Sequence, residues 1–362
     1  MHGLALSNMK ILCLTHNYSN NGAALLLLHT VRHWTAQLGW EVHAYVTPDQ
    51  QSQVTTLRDF GAVPVSVEAR NLLPAYDLVL INTLVDLHLV DRLPVRQPIA
   101  LWAHEGTTIM KSMRRDMGLH QARLARLQGL ILQTAFQSEV ALRELLEGFP
   151  VTRIAFVPNP VMPTRVAPRP GRPAGVPIRI AMTGTLCPRK NQVELAEAVL
   201  RVAAQLPVEC HFIGDHETYR RVSGVDLIAP YRRHPQLVFH GDLPREQALS
   251  IVASSDLFCL PSLDESFALA PLEAAALGVP VILSGLRCHD YVGWRHRENC
   301  LFYPPRSVDN LAALIAALAA NADSQVALAR NGARLAASMP FERYLERITQ
   351  AVVDIARRKE GP

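Results

Sequence analysis

Across nearly all of its 362 residues the chain alternates short apolar, β-rich runs with stretches of helical pattern. Runs such as DLVLINT (77–83), IALWAHE (99–105) and LILQTA (130–135) are apolar without the every-second-residue alternation of a half-exposed strand. A strand of that kind is buried on both faces, which requires a parallel sheet with helices packed above and below it. KILCLTH (10–16), EVHAYVT (41–47), VPVSVE (63–68) and RIAFVPN (153–159) extend the series. Between the first two, AALLLLHTVRHWTAQLG (23–39) reads as a helix ending on a glycine suited to its C-terminus.

The pattern breaks at NPVMPTRVAPRPGRPAGVP (159–177), where six prolines and two glycines fall within nineteen residues. Such a stretch can join neither ladder nor helix and reads as an interdomain linker. A second series follows: strands at 178–184, 208–214, 237–241, 257–262, 279–285 and 300–304, with helices at 191–206, 245–254, 271–278, 308–320 and 342–358. The expected class is α/β, with two Rossmann-like domains facing across a cleft. The expected boundaries are 1–162, a linker at 163–177, a second domain at 178–338, and a C-terminal helix, 339–362, packing back on the first domain. A length of 362 residues favours two cores over one.

Composition closes several alternatives. Hydrophobic residues at 49% against 19% charged describe a globular chain, and no apolar run approaches the ~20 residues of a membrane-spanning helix. The start, MHGLALSNMK, lacks the basic, apolar and small-residue succession of a signal peptide, so the expected compartment is the cytoplasm. Cysteines 13, 187, 210, 259, 288 and 300 are scattered without CxxC or Cys/His clustering, which predicts structural thiols and no zinc. A net charge of +4 with 6% aromatics disfavours nucleic acid as a partner.

In open α/β sheets ligands bind beyond the carboxyl ends of the strands, so the turns there carry the candidates. IRIAMTG (178–184) runs through TLCPRKNQ into a helix. Arg189 and Lys190 beside that helix start make a candidate diphosphate clamp; solvated loop cations next to a capping Asn191 are the alternative. Farther on, DESFALAPLEAAALGVPVIL (264–283) sets Glu265 and Glu273 eight positions apart. On one continuous helix they would stand about 80° apart, so the chain must bend between them. Pro271 suits a first helical turn and Gly278 a helix end. Glu265 then lies in a loop and Glu273 early in the helix. The amides of about Phe267 to Ala270 are left unpaired, where an anion could be held. Two carboxylates flanking such amides suit hydroxyl donors such as a ribose diol and a sugar. Alternatively Glu273 complements the helix dipole and Glu265 is solvated.

PSLDESFALAPLEAAALGVPVI resembles the signature of the family-4 retaining glycosyltransferases, enzymes of GT-B fold carrying a glycosyl transferases group 1 domain. GTLCPRKNQ is similar to that family's glycine turn at Gly184, and FIGDH to its turn at Gly214. VFHGDLPREQALSIVASSDLFCLPS resembles the segment leading to the motif. The resemblance covers the C-terminal half almost continuously and the N-terminal half in pattern. It implies that Lys190 and Arg189 neutralise the departing diphosphate of a nucleotide-sugar donor. It also implies that Glu273 holds the ribose, Glu265 the transferred sugar, and the turn Gly241–Asp242–Leu243 the base. Ser266, Phe267, Ala268, Leu269 and Ala270 would line the phosphate. NYSNNGAA (17–24) stands where the family has a glycine-rich loop, with Gly22 near the donor phosphate. His104 in WAHEG matches the family's active-site histidine, although a lone histidine is as easily structural. Thr185 stands where many relatives have arginine, and the N-terminal loop has one glycine where relatives often have two.

Departure of a nucleoside diphosphate leaves negative charge that preorganised cations and amides can stabilise. No Asp-x-Asp occurs, in keeping with a metal-independent enzyme with no cofactor. Retention, implied by the resemblance, would let the departing phosphate take the acceptor proton. The expected acceptor is a glycan, a lipid-linked molecule or a small molecule in envelope polysaccharide or glycoconjugate synthesis. A GT-B-like binding protein that has lost transfer is the alternative. A nicotinamide dehydrogenase is disfavoured, since no GxGxxG follows either first strand. GTTIMKSMRRDMGLHQARLARLQG (106–129) reads either as a basic amphipathic helix for the inner face of an anionic membrane or as a solvated helix with its methionines turned inward.

Overall fold

The computed structural model describes residues 8–18, 22–66, 76–94, 96–113, 117–144, 153–168 and 176–358. The chain divides into two compact units: Met1–Asn159 together with Glu342–Pro362, and Pro160–Phe341.

The first unit is built on a seven-stranded sheet: β1 (Lys10–Leu14), β2 (Glu41–Tyr45), β3 (Val63–Val65), β4 (Leu78–Ile81), β5 (Ile99–Trp102), β6 (Gly129–Leu132) and β7 (Ile154–Phe156), in the order β3-β2-β1-β4-β5-β6-β7. Every pair is parallel, with Ile11 opposite Val42 in β2 and Leu78 in β4. β4, β5 and β6 are buried along their whole length, as their unbroken apolar runs require. The helix Gly22–Leu38 buries Leu26, Leu27, Val31 and Trp34.

The chain's last helix, Phe341–Ala356, completes this unit. Tyr344, Ile348, Val352 and Ile355 are buried along one side of it. Its Thr349 hydroxyl accepts from Trp34 Nε1 at 2.9 Å, and the Tyr344 hydroxyl lies 2.8 Å from that of Thr30. Gly129 makes room for the helix, since a Cβ there would meet Ile355 Cγ1 at 2.4 Å.

The second unit holds a six-stranded parallel sheet: β8 (Ile178–Thr183), β9 (Val208–Ile213), β10 (Leu237–Gly241), β11 (Leu257–Leu260), β12 (Val281–Ser284) and β13 (Leu301–Tyr303), in the order β10-β9-β8-β11-β12-β13. The helices Gln192–Ala203, Arg245–Ala253, Leu269–Ala276 and Val308–Ala319 fall where the sequence pattern puts them. Ala322–Ala337 is a further helix that the pattern did not separate from its neighbours. Gly332 lets it close on Leu269–Ala276, for a Cβ there would stand 3.3 Å from that of Ala275.

The proline-rich stretch lies outside the described residues over 169–175, but its start is fixed within the second unit. Thr164 Oγ1 donates to Glu246 Oε2 at 2.9 Å, and Val161 N to Met339 O at 3.0 Å. Proline content there reports backbone that cannot join a ladder.

No single described helix is long and apolar enough to cross a membrane. In the 106–129 segment the described basic residues are mostly engaged. Arg123 forks onto Asp91 at 2.9 and 2.5 Å, and Arg126 donates to the carbonyls of Val90, Leu93 and Pro94. Met110 is buried, and Lys111 is exposed. Arg114, Arg115 and Asp116 lie outside the described residues, as do the side chains of Met113 and Met117.

Candidate functional site

In the second sheet β8 has β9 on one side and β11 on the other, so strand order reverses between β8 and β11. A crevice at the carboxyl end of such a switch point is where open α/β sheets take ligands. Three glycines shape its edge. Gly184, Gly214 and Gly241 close β8, β9 and β10, all at positive φ. Gly184 N donates to Ile213 O at 2.9 Å, and Gly214 N to Gly241 O at 2.8 Å. A Cβ on Gly214 would lie 2.3 Å from Gly184 O, so no other residue fits there without moving the backbone. Asp242 is exposed and Leu243 half-buried beyond that edge.

From β8 the chain turns through Thr185, which is exposed, to Arg189 and Lys190. Gln192 holds the turn by donating to the Gly184 and Thr185 carbonyls at 3.3 and 3.0 Å. From β11 the chain enters the loop carrying Glu265. The two loops are tied by Leu263 N to Arg189 O at 2.7 Å and by Arg189 NH1 to Asp264 O at 2.7 Å. Lys190 Nζ meets Glu265 Oε1 at 2.6 Å, with Arg189 NH1 3.5 Å from Oε2. Burial pushes the Glu265 carboxyl up, but the Lys190 and Arg189 charges outweigh it and hold the pKa below the usual value. Arg189 therefore does more than the sequence suggests: it positions the loop of Glu265 as well as adding charge.

The bend anticipated between the two glutamates is present. Ala268 is extended, and the helix begins at Leu269 with Pro271 in its first turn. Gly278 takes φ +75° beyond its end. None of the amides of Phe267, Ala268, Leu269 and Ala270 donates to a carbonyl among the described residues. Phe267, Ala268 and Ser266 are nearly buried, and Leu269 and Ala270 half-exposed. Unpaired amides at a helix start, with Lys190 a few residues of loop away through Glu265, can bind a phosphate.

Glu273 is not free. Arg245 donates to its Oε1 from Nε at 3.0 Å and from NH2 at 2.7 Å, and also reaches the Met162 and Pro163 carbonyls. Burial raises the Glu273 pKa, and the Arg245 charge opposes it. Both arginine bonds fall on Oε1, which leaves Oε2 as a hydrogen-bond acceptor. Sequence pattern did not single out Arg245; the only signal was a cation at a helix start, where the dipole disfavours one. Also unanticipated is His289, fully buried with neither ring nitrogen hydrogen-bonded, its pKa pushed down to about 4 by burial.

His104 and Gly22 belong to the first unit. Gly22 is exposed at the start of its helix, and residues 19–21 before it lie outside the described residues. His104 follows β5. Its Nε2 is 2.9 Å from Asn82 Oδ1 and its Nδ1 3.3 Å from Gln133 Nε2, an arrangement that suits a neutral ring donating through Nε2. Burial pushes its pKa down to about 3. Among the described residues no group of three or more His, Cys, Asp or Glu side chains is arranged to hold a metal ion.

Two α/β units with parallel sheets, the second carrying a basic turn and an amide-lined helix start at its switch point, define the GT-B class of fold. Residues 177–321, within the second unit, match the family model Glycosyl transferases group 1. Over 201 residues the chain is 28% identical to the MMP alpha-(1->4)-mannosyltransferase of Mycolicibacterium hassiacum, a stretch covering 55% of this chain and 48% of that relative. The match thus spans about half of the relative's length. HepE of Anabaena, solved with UDP and glucose, superposes with a TM-score of 0.78 at 16% identity, over 96% of this chain and all of the other. Sucrose-phosphate synthase of Thermosynechococcus elongatus gives a TM-score of 0.72 at 18% identity, covering 96% and 99% of the two chains.

Proposed function

We propose that the protein is a retaining glycosyltransferase that moves a sugar from a nucleoside-diphosphate sugar to a hydroxyl acceptor. The observation that carries this is the cluster at the β8–β11 switch point. Lys190 and Arg189 lie against Glu265, and bare amides from Phe267 to Ala270 separate Glu265 from Glu273. The cations and amides bind the diphosphate and stabilise its charge as the sugar–oxygen bond breaks. Glu265 takes the hydroxyls of the transferred sugar, Glu273 Oε2 the ribose, and the turn Gly241–Asp242–Leu243 the base. These groups supply the charge stabilisation that a divalent ion supplies elsewhere, so the transfer proceeds without metal. The similarity to a mannosyltransferase and to a fold solved with UDP and glucose supports a hexose donor.

The acceptor is a glycan or lipid-linked molecule of envelope polysaccharide or glycoconjugate synthesis, met on the cytoplasmic side of the membrane. With Arg123 and Arg126 engaged inside the first unit, the 106–129 segment has less free charge for lipid than its sequence suggests. Flotation with anionic liposomes measures this, and weak binding lost by ~0.15 M salt is expected.

The donor site is tested by thermal shift and turnover with UDP-glucose and GDP-mannose. One donor should raise the melting temperature and be consumed, with Lys190→Ala lowering turnover by ~10²-fold or more. Wild-type turnover in Lys190→Ala would remove the diphosphate assignment. Saturable binding with no consumption would favour a binding protein of the same fold.

A further inference from the structure

The second sheet carries a line of polar side chains across three neighbouring strands. Arg179 lies on β8, Glu209 and His211 on β9, and His240 on β10. Arg179 Nε donates to Glu209 Oε1 at 2.6 Å, and His211 Nε2 stands 3.2 Å from the same oxygen. His211 Nδ1 and His240 Nε2 are 2.8 Å apart. The two ring planes lie within 14° of each other with centroids 5.1 Å apart, as an in-plane N–H···N bond requires. The line ends at a bulge: Phe239 pairs with Phe212 and Gly241 with Ile213, so His240 is the extra residue. A bulge re-aims the side chain it carries. Here it does so immediately before the turn Gly241–Asp242–Leu243.

The direction of each bond follows from the inner end of the line. Burial pushes the Glu209 carboxyl up, and the bonds from Arg179 and His211 bring it below its usual value, so it only accepts. His211 must then donate through Nε2, which leaves the lone pair of the neutral ring on Nδ1. His240 donates to that lone pair through Nε2, and its own lone pair falls on Nδ1. Burial and the neighbouring His211 hold the His240 pKa down, which keeps the ring neutral. His240 is half-buried, and among the described residues nothing bonds to its Nδ1. A structural line closes on a partner at both ends, whereas this one stops on an open acceptor beside the turn.

Two further acceptors stand there. The His216 ring lies against Gly241, where a Cβ would meet its Cε1 at 3.3 Å and its Nδ1 at 3.6 Å. With Nε2 held 3.3 Å from Glu217 Oε1, the His216 lone pair also falls on Nδ1. The exposed Asp242 carboxylate is the third. Arg245, farther along the chain, is committed to Glu273 and to the Met162 and Pro163 carbonyls. A surface of acceptors suits a base edge of adjacent N–H donors. Guanine presents a ring N–H and an exocyclic amine side by side, whereas uracil presents one N–H between two carbonyls, which would face lone pairs.

We propose that the donor is a guanosine-diphosphate sugar whose base is selected by His240, fixed as an acceptor by His211, Glu209 and Arg179. The inference rests on the function proposed above and names the nucleotide of its donor. His240 touches the base, and His211 and Glu209 act through it as positioning residues.

Calorimetric titration with GDP, inosine diphosphate and UDP tests this without the sugar or the acceptor. GDP should bind ~10-fold or more tighter than UDP, and inosine diphosphate, which lacks the exocyclic amine, ~10-fold more weakly than GDP. His240→Leu should lower GDP affinity ~10-fold and leave that for UDP within about twofold of wild type. His211→Phe should cut the preference for GDP about fivefold. In that variant NMR of the imidazole nitrogens should show His240 passing from the Nε2–H form to a mixture of tautomers, a change that loss of packing alone does not produce. UDP or inosine diphosphate bound as tightly as GDP, an equal loss of GDP and UDP in His240→Leu, or an unmoved His240 tautomer in His211→Phe overturns the proposal. If no nucleotide binds, or if all bind Lys190→Ala as they bind wild type, the donor-site reading falls instead.

Discussion

Lys190 and Glu265 hold opposite charges 2.6 Å apart with little water around either, 15% and 7% exposed. Removing one partner strands the other, so Lys190→Ala should cost ~3 kcal/mol or more of stability, with Arg189 offsetting a part. Lys190→Ala with Glu265→Ala should be less destabilised than the sum of the single variants, as thermal melts can show. Arg245 acts on Glu273 in another way, fixing Oε1 and leaving Oε2. If it positions the ribose contact, Arg245→Ala and Glu273→Gln should each weaken nucleoside diphosphate binding by ~10-fold. Each should also erase the preference for UDP or GDP over its 2′-deoxy form, measured by calorimetry; a preference surviving in Arg245→Ala would reduce that residue to packing. His104 offers a pH signature. Its folded pKa of about 3 lies below the unfolded value, so above pH ~6.5 both states are neutral and it contributes no slope. As pH falls from there toward 3 the unfolded chain alone gains the proton, and stability is lost at up to ~1.4 kcal/mol per pH unit. Urea titrations of His104→Gln should show a flatter acid-side decline than wild type.

At the scale of elements, the strand-end turns of the second sheet depend on backbone proximity. Gly214→Ala puts a Cβ against Gly184 O and adopts a φ of +144°, so it should lower stability by ~2 kcal/mol or more and disturb the turn that carries Thr185. A melting temperature equal to wild type would show that the sheet edge can yield. These turns were legible in the sequence because each strand ends on a glycine, and glycine is the residue such φ values select. The strands were equally legible, since burial on both faces demands unbroken apolar runs. Less so was the helix Ala322–Ala337, whose buried stripe of Leu328, Gly332 and Ala336 consists mostly of small residues that carry little apolar signal until Gly332 meets Ala275. The basic segment at 106–129 was legible in charge but not in use. The bonding of Arg123 and Arg126 depends on residues 90–94, distant in sequence.

At the scale of the whole molecule, the first unit is discontinuous in sequence, and its closing helix contributes Tyr344, Ile348, Val352 and Ile355 to a core formed mainly by residues before 160. Each buried side chain of this kind is worth ~2 kcal/mol. A chain ending at residue 340 should therefore lose the cooperative unfolding of the first unit, seen by calorimetry, and keep that of the second. Sequence by itself determined the α/β class, the sites of the strands, and the types of residue at the second unit's switch point. Periodicity, glycines and the Glu-x7-Glu spacing are local properties that survive without a fold. Tertiary structure alone decided that Arg189 ties two loops and that Arg245 holds Glu273. It also decided that Arg179, Glu209, His211 and His240, on three strands, form one hydrogen-bonded line. Contacts of that kind depend on which strand ends lie side by side, and strand order is set by packing the whole sheet, which no short stretch of sequence encodes.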